Sequence, residues 1–221
     1  MVTDAPMATA TDILTLTQWF SPSFPIGAFA YSHGLEWAIN SGSVETAENT
    51  RQWIDGVLRF GAGWNDCLLL AASYRAHDAQ ALAEIDATSR ALCASQERLQ
   101  ESDLQGAAFC KATSALCACD LAGLTYPVAA GQAARLENLP LNLTAQIYLQ
   151  SFTSNLAAVA MRLVPLGQSD GQSLIRDLIP TCIKIADTAI ACDLDELNST
   201  AFLSDISSMK HETQYSRIFR S

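Results

Sequence analysis

Basic residues are scarce in this chain: thirteen Lys and Arg stand against twenty-three Asp and Glu in 221 residues, for a formal net charge of −10. A surface so poor in positive charge argues against nucleic-acid binding and against electrostatic attachment to anionic membranes. Histidine is scarcer still, at three residues, which leaves little material for acid–base or metal chemistry. The sequence has no Gly-x-x-x-x-Gly-Lys-Ser/Thr loop, no Gly-x-Gly-x-x-Gly and no Gly-x-Ser-x-Gly elbow. Nothing in it therefore cradles a nucleotide phosphate or presents an activated serine. No apolar run reaches the roughly 18 residues of a membrane span. The N-terminal segment carries Asp4 and Asp12 without a basic region, so no secretory signal is expected. The cysteines (67, 93, 110, 117, 119, 182 and 192) are odd in number and contain no Cys-x-x-Cys pair. They sit among Leu, Ala and Ile, where reduced cysteine behaves as a small apolar residue, and a cytoplasmic location is expected.

Strand signals are missing as well, since period-2 alternation never persists beyond a few residues. What the chain has is helical periodicity in a composition 49% apolar and 16% charged, rich enough for a sizeable core. The fold class is all-α: a single compact, bundle-like domain over residues 1–221, of about nine to eleven helices. The first helix is expected over residues 12–20 behind Thr11, and a second through Phe29–Asn40 after the break at Pro22, Pro25 and Gly27. Thr46 reads as a helix cap, and Gly61 and Gly63 as an interruption. Asp78 opens one long Ala-rich stretch to about Leu121, with Leu104, Phe109 and Leu116 among its core candidates. Val128–Leu139 follows, then Thr144–Val164, apolar on most sides and so expected to be central. Pro165, Gly167 and Gln168 form a helix stop in which Gln168 ties the turn. Asp170–Ile179 and Cys182–Cys192 are expected to be kinked or broken at Pro180, and Ser204–Lys210 is a last short turn.

Residues 211–221 depart from the rest of the chain. Residues 209–221 carry a net +2, which leaves −12 elsewhere, and they interleave Tyr215, Ile218 and Phe219 with Arg217 and Arg220. Aromatic and Arg side chains are enriched at protein interfaces, so 211–221 reads as a docking tail, on its own body or on a partner. His211 and Glu212 begin it. Candidate catalytic groups are few. Ser32 and His33, neighbours on an expected helix, point about 100° apart. His33 and Glu36, three residues apart, could share a pocket or a metal in an α-helical enzyme, but no second copy of the pair exists. Cys117 and Cys119 read as core thiols. No metal ligand set and no cofactor is assigned.

Three stretches carry a resemblance. Ser21-Pro-Ser-Phe-Pro-Ile-Gly-Ala-Phe-Ala-Tyr-Ser-His-Gly-Leu-Glu36, Val164-Pro-Leu-Gly-Gln168 with Gly171-Gln172, and Met209-Lys-His-Glu-Thr-Gln-Tyr-Ser-Arg-Ile-Phe-Arg-Ser221 resemble, in order and spacing, the motifs of the urease accessory protein UreF family. Ala28 and Ala30 stand where that family more often has Gly and Ser, and Ala107 where it commonly has a basic residue. The resemblance implies a non-catalytic all-α adaptor in nickel metallocentre assembly. Such an adaptor binds UreD (also called UreH), as a homodimer within the complex. It recruits and regulates the GTPase UreG during nickel insertion into the urease apoprotein. On this reading Tyr31, Ser32, His33 and Glu36 reach a partner together with His211, Glu212, Tyr215, Arg217, Ile218, Phe219 and Arg220. Pro22, Pro25, Gly27, Pro165, Gly167 and Gln168 shape turns.

Overall fold

The computed structural model describes residues 8–117 and 121–221. Those residues form ten α-helices and no strand. Helix α1 (Ala10–Trp19) is capped by Thr9, whose hydroxyl accepts from the Asp12 amide while the Asp12 carboxylate accepts from the Thr9 amide at 2.8 Å. The start lies two residues before the expected cap because only Thr9 is three residues from that acid. The expected helix from Phe29 is replaced by a single 3-10 turn, Ala28–Ala30, and the short α2 (Leu35–Asn40). Between them His33 and Gly34 take φ of 55° and 77°, a left-handed conformation that stops a helix from running through. Gly34 is required there for a second reason: an added Cβ would lie 2.5 Å from the Ser208 amide nitrogen.

Helix α3 (Ala47–Phe60) starts at the Thr46 cap, as the sequence indicates, and α4 (Ala62–Arg75) follows a single residue, Gly61. The long Ala-rich stretch is two helices, α5 (Ala79–Ala91) and α6 (Gln96–Cys117). Leu104 and Leu116, expected in the core, lie on the exposed side of α6, whereas Phe109 is fully buried. Cys119 lies outside the described residues, as do Asp4 and the rest of the first seven positions. Helices α7 (Tyr126–Leu136), α8 (Leu141–Leu163), α9 (Gln168–Ala189) and α10 (Phe202–His211) complete the order. Helix α9 runs on through Pro180 rather than breaking. Pro180 is exposed, as is Arg176, whose carbonyl loses its helical partner there, so water can replace the missing N–H. At the preceding turn Gly167 has an ordinary φ of −68° and its amide donates to Asp170 Oδ2 at 3.2 Å. Asp170, rather than Gln168, ties that turn.

Helix α4 packs along α7 and against α3, α5, α8 and α9, so it is enclosed as fully as α8, whose one exposed residue is Arg162. The largest core cluster joins both to an aromatic group in which Trp19, Phe24 and Tyr126 surround the Phe109 ring at 5.5–5.7 Å between centroids. Small residues let α7 and α4 approach: a Cβ on Gly131 would stand 2.2 Å from the Leu70 carbonyl oxygen. Gly131→Ala gains about 1 kcal/mol of helix propensity but forces two backbones apart, at a typical overpacking cost of about 1–3 kcal/mol. A net loss of stability is therefore expected, read as a lower urea midpoint with an unchanged m-value.

Candidate functional site

The three sequence stretches that carry the family resemblance meet at one place. A second hydrophobic cluster is built from Leu35 and Ala38 of α2, Val159 and Ala160 of α8, Val164 at the α8 end, and Phe219 of the tail. Phe219 fills it as a plug, with the Arg162 guanidinium 5.8 Å from its ring centroid. Around that plug the tail is tied down by acids. Glu36, buried at the start of α2, accepts from the Ile218 amide at 2.7 Å and the Phe219 amide at 2.9 Å. Its Oε2 also faces His211 Nε2 at 3.1 Å. His211, with 0% exposure, turns Nδ1 to Glu97 Oε2 at 2.6 Å, and Glu97 pairs with Arg217 on its other oxygen. A neutral imidazole has one N–H, so only a ring protonated on both nitrogens donates to both carboxylates.

Glu212 completes the arrangement from the opposite direction. Its Oε1 accepts from the amides of Gln96 at 2.7 Å and Glu97 at 3.3 Å, placing a negative charge on the open N–H groups of α6. This remote cap starts α6 where the sequence showed no break. Ser95 Oγ adds a local cap to the Arg98 amide and pairs with Ser208 Oγ at 2.7 Å. Backbone bonds close the end of the tail: Arg220 N–H donates to the Ala30 carbonyl and Ser32 N–H to the Ser221 carbonyl, each at 2.8 Å. The Ser32 hydroxyl donates to that same carbonyl.

Ser32, Tyr31, Glu36, His211 and Phe219 are thus buried against their own chain. Glu212, Tyr215, Arg217, Ile218 and Arg220 are exposed, Tyr215 completely. Pro22 and Pro25 are exposed at the first turn, and Pro165, Gly167 and Gln168 at the turn before α9. Helix α10 is inverted in polarity. Ser207, Ser208 and His211 face inward, while Phe202, Leu203, Ile206 and Met209 are 66%, 74%, 49% and 51% exposed. That stripe borders a groove of about 240 Å³ between α3 and α10, lined by Trp53, Gly56, Phe60, Phe202 and Leu203.

His33 and Glu36 do not converge. His33 lines two partly open cavities, of about 70 and 30 Å³, together with Asp66, Arg98 and Ser102, and Glu36 lines neither. Arg98 Nη1 sits 2.5 Å from Glu101 Oε2, and His33 Nε2 is 2.9 Å from Glu101 Oε1. Burial works against the Glu101 carboxylate, but Arg98 and the His33 contact win and hold it at about 2. Burial lowers His33, and Arg98 adds to that effect. The pair is therefore a neutral imidazole donating Nε2–H to an ionised acid, with Nδ1 buried and without a hydrogen-bond partner among the described residues. Glu101 also accepts from Ser221 Oγ at 2.7 Å, so this network touches the tail as well. Among the described residues no group of three or more His, Cys, Asp and Glu is placed to hold a metal, and no helix is long and apolar enough to cross a membrane.

Glu97 and Glu101 were not singled out from sequence. Their one signal is a four-residue spacing in Gln96-Glu-Arg-Leu-Gln-Glu101, which puts both acids on one helical face.

The molecule is an all-α body whose converging polar side chains are spent on holding its own C-terminal segment. The chain belongs to the UreF family: the UreF family model matches residues 44–179. A urease accessory protein UreF of Ruegeria pomeroyi is 57% identical over 97% of this chain and all of its own length. One of Roseobacter denitrificans is 47% identical over 94% of this chain and 93% of its own length. One of Mesorhizobium japonicum is 43% identical over the whole of both chains. The family is an accessory one that supports urease maturation and not a catalytic one, which displaces the enzyme reading of the His33 and Glu36 region.

Asp66 titrates apart from the tail. Burial pushes its carboxyl from the ordinary 3.8 up to about 6, against the pull of Arg98 and the Tyr148 hydroxyl, which lies 2.7 Å away. The folded chain keeps this proton where the unfolded chain has lost it. Its stabilising contribution is therefore full below 3.8 and lost as pH rises through about 6. Asp66→Asn is expected to melt close to the parent at pH 4 and to be more stable at pH 8, by on the order of 2–3 kcal/mol. Thermal melts at the two pH values measure it.

Proposed function

We propose that this chain is a non-catalytic adaptor of nickel insertion. It binds UreD/UreH, recruits and regulates the GTPase UreG beside the urease apoprotein, and works as one of two copies in a cytoplasmic accessory complex. The observation that carries the reading is the inverted helix α10. An acidic chain presents Phe202, Leu203, Ile206 and Met209 to solvent on one side. The exposed Tyr215 and Ile218 of the tail follow in sequence, with Lys210, Arg217 and Arg220 among them. An exposed apolar stripe along one helix marks a protein interface, and the Tyr and Arg side chains of the tail are of the types enriched at interface centres. The family membership supports an accessory complex of urease proteins as the setting. The absence of any phosphate loop in the sequence fits a division of labour in which the nucleotide belongs to UreG.

Deleting the tail is a poor test, because Glu212 caps α6 and Phe219 fills the second cluster. Tyr215→Ala with Ile218→Glu removes exposed groups only. The double variant should melt as the parent does and lose about tenfold or more in affinity for a UreD- or UreG-type protein. Copurification sized by light scattering, with titration calorimetry, reads both. Assembly of both partners at parental affinity would remove the tail from the interface.

A further inference from the structure

The two cavities beside His33 are divided by one wall. His33, Asp66, Arg98 and Ser102 line both of them, and Glu101 stands behind Arg98 and His33. Two acids and two bases therefore meet here, drawn from α4, α6 and the Tyr31–Gly34 turn. Hydrogen bonding is complete at Glu101, which accepts from Arg98, His33, Gln105 and Ser221. It is incomplete at the other acid and at the imidazole. His33 spends its Nε2–H on Glu101, and its buried Nδ1 has no partner among the described residues. Asp66 accepts from Tyr148 on Oδ2, and none of the described residues bonds its Oδ1. A carboxyl proton on Oδ1 is a donor, and the Nδ1 of a neutral imidazole is an acceptor. Both face the same polar space, and a water needs only about 10–15 Å³ of it, so the larger cavity, at about 70 Å³, has room for several.

We propose that Asp66 and His33 share one proton through water in the cavities they both line, which makes the wall a pH-sensitive switch. The transfer is balanced: Oδ1–H gives its proton to a water as that water gives one of its own to Nδ1. With the proton on Asp66, Arg98 and Glu101 cancel and the wall is neutral. With the proton on His33, two positive groups face two carboxylates and the wall is neutral again. Net charge is costly in a protein interior, so these two arrangements are the stable ones while the proton is held. Once it leaves through a cavity mouth, Asp66 is ionised, the wall carries −1, and Arg98 faces two carboxylates. Burial supports the exchange by bringing the two groups together: it raises Asp66 from 3.8 to about 6 and lowers His33 from 6.5. Such a pair titrates as a unit. The neighbours do not compete for the proton. Burial raises Tyr126 of α7, Tyr148 of α8, Tyr31 and the thiols of Cys67 and Cys93, so all five stay neutral. Asp205 of α10, which lines the larger cavity, accepts from the Ser199 hydroxyl at 3.1 Å. The switch does not depend on the adaptor role.

Nuclear magnetic resonance of the full chain, with ¹⁵N in the imidazoles and ¹³C in the Asp carboxyls, tests it. The His33 ring and the Asp66 carboxyl should move together, with one midpoint near pH 6. In Asp66→Asn the His33 signals should be flat between about pH 5 and 8, the range in which an ordinary histidine titrates. His33→Asn keeps a residue that tolerates the left-handed backbone and should lower the Asp66 midpoint, because the acceptor for its proton is gone. Thermal melts show whether each variant is folded. A His33 ring that titrates alike with and without Asp66 would overturn the proposal. So would an Asp66 midpoint that His33→Asn leaves in place, since Asp66 would then hold its proton alone.

Discussion

A carboxylate buried at the start of a short helix has to be satisfied, and at Glu36 the tail does it, through His211 and the amides of Ile218 and Phe219. Leaving an ionised acid unpaired in a protein interior costs several kcal/mol. The two tail amides and His211 remove that cost with charge-assisted hydrogen bonds at 2.7–3.1 Å. Much else follows from that requirement. Phe219 is carried into its cluster beside Leu35 and Val164. Glu212 is delivered to the open end of α6. Gly34 must remain a glycine because α10 lies directly against it. The inward face of α10 is Ser207, Ser208 and His211, since the body offers acids and serines there rather than an apolar groove.

Where structure was set locally, the sequence disclosed it. Thr46 and Asp78 cap helices with their own side chains, the Pro22–Gly27 segment interrupts a helix, and apolar content at helical spacing announced α3 and α8, whereas Gly63, read as part of an interruption, lies inside α4. Where the determinant came from far away, the sequence was silent. The gap between α5 and α6 looked like continuous Ala-rich helix because half of its cap is a residue more than a hundred positions downstream. Pro180 looked like a break because exposure of the freed carbonyl is a tertiary fact. Leu104 and Leu116 looked like core because periodicity names a face without saying what covers it.

The same division holds for the site. The tail and Glu36 stood out by composition and motif, and the resemblance brought them forward together. Their connection did not, because nothing local says that a carboxylate in one motif bonds the backbone of another. Glu97 and Glu101 were not singled out, because acids four residues apart on a helix usually mark a solvated face. The buried network of His33, Arg98, Glu101 and Asp66 is assembled from α4, α6 and the Tyr31–Gly34 turn, which sequence separates widely.

The bond from Ile218 to Glu36 spans 182 residues and that from Glu212 to Gln96 spans 116. Chains are made from the N-terminus, so Glu36 and the open amides of α6 emerge long before the groups that satisfy them. The body can collapse around α4 and α8 early, yet its acidic seam stays unsealed until residues 212–221 have docked. Closing contacts this distant is slow relative to local helix formation. A chain that stops short of Glu212 would leave Glu36 with His211 but without the two tail amides, and the first amides of α6 without the Glu212 carboxylate. Residues 211–221 therefore seal the acidic seam: the contacts around Glu36 and the start of α6 are complete only once those residues have docked.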